Sequence, residues 1–474
     1  MINDISTTEE LTRCFAQQKE VFLQNTYPSY QKRIDNLKAL KALVIDNQQA
    51  FVEALSEDFS YRSEDDSVIG DILTTVMGIN YTLKQLKRWM KPEKRHVSLL
   101  LQPAKASIIY QPKGVVGIIV PWNYPIFLSM GPLTAALAGG NIAMVKMSEF
   151  TPNTNALLVK LISQSILKEC VSIVQGDAGI AAKFSSLAFD HLFYTGSTNV
   201  GRLVMKAAAE NLVPVTLELG GKSPAIIDDE INLDTAVSRF ILGKTLNSGQ
   251  TCVAPDYIFC PKDKIQSLVQ AMKTRYQAMY PDNNNYKDNT CIVTDAQQTR
   301  LTNLLTDAQD KGATIIKLGN DNTATNRGSR QMPLTLVLNT TDDMLIRQQE
   351  IFGPILPIIG YDEINETIDY INSNPRPLAL YIYSFNKALQ QKILLSTHAG
   401  GVCVNEATFH VTNDDLPFGG VGASGMGSYH GIEGFKTFTH AKSVFSRGRI
   451  CVASLLFPPF GTKIHQLVYK LYIR

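Results

Sequence analysis

From residue 8 to about residue 100, apolar side chains recur every three or four positions among Leu, Lys, Gln and Glu, with almost no glycine. That period predicts a run of amphipathic helices, closed by Trp89-Met90-Lys91-Pro92 because proline cannot continue a helix. From Ala106 the texture changes. Two β-branched runs, 107–110 and 115–120, are divided by Gln-Pro-Lys-Gly, which predicts a hairpin or a strand-turn-strand. Continuous apolar runs at 142–146, 171–174, 191–194 and 213–219 then alternate with helical periods at 153–169 and 200–211. Strands without polar alternation, separated by helices, predict a parallel sheet covered on both faces.

A second series follows Gly220: a strand at 225–228, a helix at 233–246, a strand at 257–260 and a long helix at 264–279. Polar stretches at 282–285 and 320–330 are expected as exposed loop tips. From about Gly400 the chain is glycine-rich, as in P-F-G-G-V-G-A-S-G-M-G-S-Y-H-G (417–431), and no internal repeat is present. The fold class expected is α/β: a doubly wound cofactor domain, a second α/β domain, and a small third element from the 106–120 region and a strand near 437–445. The boundaries expected are N-terminal helices at 1–105, a cofactor-binding unit at 106–219, a second unit at 220–404, a return at 405–445 and a tail at 446–474.

Composition narrows the class without naming it. At 474 residues the chain exceeds one ordinary core, so two domains or more are expected. It is 45% hydrophobic and 19% charged, with 45 basic against 43 acidic residues, which gives no electrostatic reason to invoke nucleic acid. The cysteines at 14, 170, 252, 260, 291, 403 and 451 form no C-x-x-C pair, and the histidines no H-E-x-x-H. Reduced thiols in a cytoplasmic setting and no metal site are therefore expected. Acids stand near the N-terminus where a secretory signal needs bases, and no run of 18 uncharged apolar residues predicts a spanning helix. In the tail, Ile464, Leu467, Val468 and Leu471 share one helical face, with Lys463, Lys470 and Arg474 elsewhere. Such a segment suits a cover over the substrate entrance, a dimer contact or peripheral contact with a membrane surface.

The candidate chemistry lies in two stretches. N-S-G-Q-T-C-V-A-P-D-Y places Cys252 among small and polar residues at a turn, and L-E-L-G-G-K-S-P places Glu218 on an apolar strand running into two glycines. A nucleophilic thiol plus a carboxylate that activates water could form an acyl-enzyme and then hydrolyse it. Alone, each residue reads as well as a buried small hydrophobe or a paired carboxylate. H-L-F-Y-T-G-S-T-N-V-G (191–201) is a strand, a glycine, hydroxyl residues and a second glycine opening a helix; free N–H groups there suit a pyrophosphate, though Ser197 and Thr198 also serve as caps. Lys146 and Glu149 close another strand, where a carboxylate and an ammonium can hold ribose hydroxyls or a phosphate.

These stretches occur in order with P-W-N-Y-P (121–125), K-M-S-E (146–149) and E-I-F-G-P (350–354), and together they resemble the aldehyde dehydrogenase superfamily over roughly 10–445. The G-M-G-S-Y-H-G block is similar to the class 3 branch. Within it, N-E-A-T-F-H-V-T-N-D-D-L-P-F-G-G-V-G-A-S-G-M-G is most similar to bacterial coniferyl-aldehyde dehydrogenases. The resemblance implies NAD(P)-dependent oxidation of an aldehyde to an acid. Cys252 would be the nucleophile, Asn123 the oxyanion donor and Glu218 the base that hydrolyses the thioester. It further implies cofactor contacts from Trp122, Lys146, Glu149, Gly196, Ser197, Gly201, Glu350 and Phe352, with NAD expected and NADP the alternative. Asn405 would steady the site, and Tyr124, Phe409 and His410 are candidates for the substrate tunnel, with plain packing as the competing reading. A homodimer is expected. Coniferyl aldehyde is the substrate implied, and a medium- or long-chain aliphatic aldehyde is the rival. Acyl transfer to coenzyme A is disfavoured by Glu218, and a non-catalytic role by the intact Cys252, Glu218 and Asn123. Met147 departs from the family, which usually has proline after the lysine.

Overall fold

A computed structural model describes residues 4–281, 287–319 and 330–473. The tips expected at 282–285 and 320–329 lie outside the described residues. The N-terminal helical run is present as Thr8–Gln24, Tyr30–Asp46, Gln48–Asp58 and Thr74–Trp89. Two short strands interrupt the expected pattern at its ends: Asp4–Ile5, and Glu93–Arg95 in the part expected to be helical. Asp4–Ile5 is held by pairing to Val171–Val174, far along the chain, and Glu93–Arg95 by pairing to the nearby Lys105–Pro112 strand, neither of which helical periodicity registers.

The first large sheet runs Asp4–Ile5, Val171–Val174, Ile142–Lys146, Val115–Ile119, His191–Gly196, Val215–Leu219, Gly425–Met426. All neighbours are parallel except the last pair, where Gly425 lies opposite Glu218. The chain lays down 115–119, then 142–146 and 171–174 to one side, then crosses back to 191–196 and 215–219 on the other. That reversal opens a crevice at the carboxyl ends of 115–119 and 191–196, where open α/β sheets bind ligands. Pro121-Trp122-Asn123 and Gly196-Ser197 stand there for this topological reason.

The second sheet runs Thr314–Lys317, Thr335–Leu338, Ile355–Tyr361, Tyr257–Pro261, Pro224–Ile227, Ala379–Tyr383, Gly401–Val404, parallel except for its first pair. The third is an antiparallel sheet of Thr439–Ser446, Lys105–Pro112 and Glu93–Arg95. The hairpin reading of 107–120 is therefore corrected: Lys105–Pro112 and Val115–Ile119 belong to different sheets. Gly114, at φ +142°, makes the turn between them, and a Cβ there would fall 2.0 Å from Asp190 Oδ2. Asp190 instead accepts from the Val115 amide at 2.7 Å.

One helix, Pro125–Gly139, had no sequence signal because it is apolar on every face and so shows no stripe. It starts on proline, where φ suits the first turn, and ends at left-handed Gly140 (φ 87°). Asn141, just beyond, donates to Ala136 O at 3.0 Å and Phe438 O at 2.8 Å, while its Oδ1 accepts from the Gly114 amide at 3.0 Å. One buried amide thus ties this helix, the first sheet and the segment entering the third sheet. In the tail, Lys463–Tyr472 is helical and Leu467 and Leu471 are exposed. Among the described residues no helix is long and apolar enough to cross a membrane.

Asn141→Leu removes all three bonds and takes this partner from the Phe438 carbonyl and the Gly114 amide, while Ala136 O keeps the Asn141 backbone amide. We expect a loss of about 3 kcal/mol in urea unfolding; a loss under about 0.5 kcal/mol would show that water satisfies these groups.

Candidate active site

The nucleophile stands on an unusual turn. Thr245 closes the Leu233–Thr245 helix, and Asn247 (φ 50°), Ser248 (φ 52°) and Gly249 (φ 69°) follow in the left-handed region. Side chains rarely adopt that conformation twice in succession, so other groups must hold it. The Asn247 amide donates to Asp66 Oδ2 at 3.1 Å, and its side chain donates to Asn123 O at 3.0 Å. Ser248 Oγ bonds Asn289 Oδ1 at 2.9 Å, and Gln250 Nε2 donates to Cys291 O at 3.0 Å. Cys252 emerges from this frame half-buried. Burial, then the carboxyls of Glu350 and Glu218, push its thiol up to about 12, while the N–H groups of Cys252 and Val253 pull the other way. The resting sulfur is a protonated thiol.

Asn123 is buried, and its side-chain amide donates to Gln250 O at 3.1 Å. One of its two N–H bonds is thus committed to the nucleophile's turn and the other is left for an oxyanion. Its carbonyl accepts from Arg62 Nη1 at 3.0 Å, and Arg62 pairs with Asp71 at 2.8 Å with both side chains fully buried. Asp71 Oδ1 also caps the Pro125–Gly139 helix through the Ile126 and Phe127 amides at 3.0 and 2.8 Å. Arg62, Asp66 and Asp71 were missed by sequence reading. The signal available was the charged stretch R-S-E-D-D-S, which looks like any solvated helix start.

Glu218 occupies the penultimate place of the Val215–Leu219 strand, and neither carboxyl oxygen has a hydrogen-bond partner. Desolvation by burial holds its pKa well above the ordinary value. Glu350 is raised to about 7, first by burial and then by the Asp256 charge. Its carboxyl packs over Gly220, where a Cβ would fall 2.4 Å from both oxygens. Lys222, also missed, bridges to Asp256 and donates to Ile346 O and Gln349 O at 2.9 and 2.8 Å, fixing the segment that presents Glu350. Phe352 (φ 48°) meets Trp122 edge-on, with ring centroids 5.4 Å apart.

Trp122, Asn123, Gly196, Ser197, Glu218, Cys252, Glu350 and Phe352 all line one cleft of about 900 Å³. That is cofactor size, and its glycines leave room where a side chain would intrude. The residues fit a dinucleotide: Ser197 caps the Thr198–Ala209 helix at the crevice, with free N–H groups for a pyrophosphate. The other candidates lie outside this lining. At Gly201 a Cβ would be 2.7 Å from Leu219 Cδ2, so the glycine permits close helix–strand packing. Lys146 donates to Met147 O at 2.7 Å and Gly176 O at 2.8 Å, beside an exposed Glu149. The Met147 amide donates to Val174 O at 3.0 Å, a bond that the proline usual in the family could not make.

Tyr124 packs its ring on Arg62 and its hydroxyl on Thr251 Oγ1 at 3.0 Å, next to the nucleophile. His410 lies against the rings of Tyr381 and Phe418, and Phe409 is exposed on the surface. Asn405 bonds both Ser384 backbone groups, at 2.9 and 2.8 Å, and steadies the end of the Ala379–Tyr383 strand without reaching the cleft.

Comparison with known proteins agrees with this geometry. The model for the aldehyde dehydrogenase family matches residues 4–444. A Pseudomonas aeruginosa protein named "Probable coniferyl aldehyde dehydrogenase" is 49% identical over 465 residues, covering 98% of this chain and 97% of its own. The substrate-bound structure of Staphylococcus aureus AldH superposes with a TM-score of 0.92 at 36% identity, covering 98% and 99% of the two chains. A Mycobacterium tuberculosis aldehyde dehydrogenase complexed with NAD+ superposes at 0.82 with 27% identity, covering 93% and 90%. The chain belongs to the aldehyde dehydrogenase family, on a class 3-like branch.

The buried Glu218 yields a stability prediction. Its folded pKa lies above the ordinary 4.5, so between those values the unfolded chain ionises while the folded one does not, and stability falls as pH rises. Glu218→Gln removes that cost. Its Tm should exceed that of the parent at pH 8, with the gap shrinking toward pH 4; a lower Tm at pH 8 would contradict the assignment.

Proposed function

We propose that this protein oxidises coniferyl aldehyde to ferulic acid with NAD, through covalent intermediates on Cys252. The observation that carries the reading is that Cys252, Glu218 and Asn123 line one cleft. Once the Cys252 thiol has lost its proton to solvent, its thiolate adds to the aldehyde carbon, and the free N–H of Asn123 with the Cys252 backbone N–H receives the developing oxyanion; such a donor contributes roughly 3 kcal/mol. Gly196 and Ser197 would hold the pyrophosphate, Glu350 the nicotinamide ribose, and Trp122 and Phe352 the nicotinamide end. The bound nicotinamide supplies the hydride acceptor. Glu218, once ionised, takes a proton from water as that water attacks the thioester. Because its pKa is raised by burial, deacylation should quicken as pH rises. The coniferyl assignment is supported by the named relative; an aliphatic aldehyde is the rival. The scattered free thiols suit a reducing cytoplasm. The Thr439–Ser446 strand pairs on one side only among the described residues, an edge on which a homodimer can form; light scattering showing a monomer at micromolar concentration would refute the dimer.

With stoichiometric Glu218→Gln we expect about one NADH per site in a burst and then little turnover, and with Cys252→Ala no activity. No burst from Glu218→Gln would place its role before hydride transfer. Glu149 repels a 2′-phosphate, and two Lys146 donors are held by carbonyls, so kcat/KM should favour NAD over NADP by about tenfold; a preference for NADP would refute this. Coniferyl aldehyde should exceed every alkanal from propanal to decanal. A steady rise along that series with poor cinnamaldehydes would establish the rival.

A further inference from the structure

Beyond the cofactor cleft, the Thr74–Trp89 and Pro125–Gly139 helices and the 414–431 segment enclose a crevice of about 30 Å³. It has room for little more than a hydroxyl or a water. Its walls are unexpectedly polar. Thr75, Trp89, Thr134 and His430 all line it, each more than nine-tenths buried. Thr75 Oγ1, Trp89 Nε1, Thr134 Oγ1 and both ring nitrogens of His430 have no hydrogen-bond partner. Buried polar groups are rarely left unpaired, and each such group costs about 1–3 kcal/mol. Four in one crevice are hard to retain unless something satisfies them.

The crevice borders the catalytic centre. Tyr429, whose ring senses the charges of Glu218 and Cys252, lies 4.3 Å from the His430 ring, centroid to centroid. His430 stacks on Phe418 at 5.4 Å and meets Phe127, the neighbour of the cleft-lining Leu128, at 6.1 Å. These rings stand as a layer between the catalytic end of the cleft and the polar crevice. The donor set also selects the ligand. Trp89 can only donate, the threonines and a neutral imidazole can donate or accept, and Asp414, which also lines the crevice, can accept. Burial and the neighbouring His410 bring His430 down to about 4, so it is uncharged near neutrality. A neutral hydroxyl suits these groups; a methyl terminus would leave them all unpaired.

We propose that this crevice binds the hydroxyl at the far end of the aldehyde, with Thr75, Thr134, Trp89 and His430 as specificity determinants and the aromatic ring laid against Phe127 and His430. This rests on the phenylpropenal reading above and explains physically why an alkanal should be the poorer substrate. A site built to bond a hydroxyl rejects the analogue that lacks it far more strongly than an apolar pocket rejects a missing methylene.

The test compares kcat/KM for coniferyl aldehyde with that for 3-methoxycinnamaldehyde, which lacks only the ring hydroxyl. The parent, Thr75→Val/Thr134→Val and Trp89→Phe are all measured. The ratio cancels any general loss of folding or turnover. We expect at least about tenfold in favour of coniferyl aldehyde in the parent, falling at least about fivefold in each variant, with the loss carried by coniferyl aldehyde alone. A parent ratio near one, or a ratio unchanged by both variants, would overturn the proposal and leave the crevice to water. If alkanals outperform both cinnamaldehydes in the parent, the substrate reading falls and the proposal falls with it; a high coniferyl value with an unchanged ratio removes only the crevice assignment.

Discussion

The catalytic centre depends on the left-handed turn at Asn247 and Ser248. Two successive non-glycine residues in that region cost on the order of 1–3 kcal/mol each. They persist because Asp66, Asn123, Asn289 and Cys291 supply hydrogen bonds that no other course of the chain would satisfy. Asn123 is bonded in turn through Arg62 to Asp71, and Asp71 caps the Pro125–Gly139 helix. The N-terminal helices therefore do more than cover the cofactor domain. They supply the carboxylate that fixes the turn and the ion pair that fixes the oxyanion donor.

Three acids share the water-poor end of the cleft: the Cys252 thiol and the carboxyls of Glu218 and Glu350. Burial raises all three, and the charges of Glu350 and Glu218 raise Cys252 further. All three shifts favour the protonated forms, and a raised thiol is a less reactive one. The same arrangement makes the site responsive, since a positive charge brought into the cleft lowers all three values together. The orphaned oxygens of Glu218 show a functional group held at a cost to stability.

The sequence was most legible where chemistry and local pattern coincide. The alternating strands of the first sheet, the crevice residues Gly196 and Ser197, and the candidate catalytic residues Cys252, Glu218 and Asn123, which line one cleft, could all be named from the sequence. What escaped was non-local. Lys105–Pro112 and Val115–Ile119 look like a hairpin because the partner of the first, Thr439–Ser446, lies more than 300 residues away. The Pro125–Gly139 helix is buried on all sides and shows no period. Arg62 and Asp66 sit in an ordinary charged stretch and Asp71 in an apolar one, and only the tertiary fold turns Arg62 onto Asn123 and Asp71, and Asp66 onto Asn247. Gly201 fits a phosphate pattern by spacing, yet its missing side chain serves Leu219. The polar crevice could not be read from any one motif: His430 lies in the G-M-G-S-Y-H-G block, but its partners come from two other segments.

The most direct test of the turn's importance is the pre-steady-state hydride burst of Asp66→Ala, with its Tm measured alongside. Asp66 touches neither cofactor contacts nor the reacting atoms; it bonds the Asn247 amide and Thr290. If the turn sets the sulfur's position, the burst rate should fall at least about tenfold in folded protein, while NAD affinity stays within about twofold. A folded Asp66→Ala enzyme whose burst is as fast as the parent's would show that the turn holds its shape without this carboxylate, and would contradict the account.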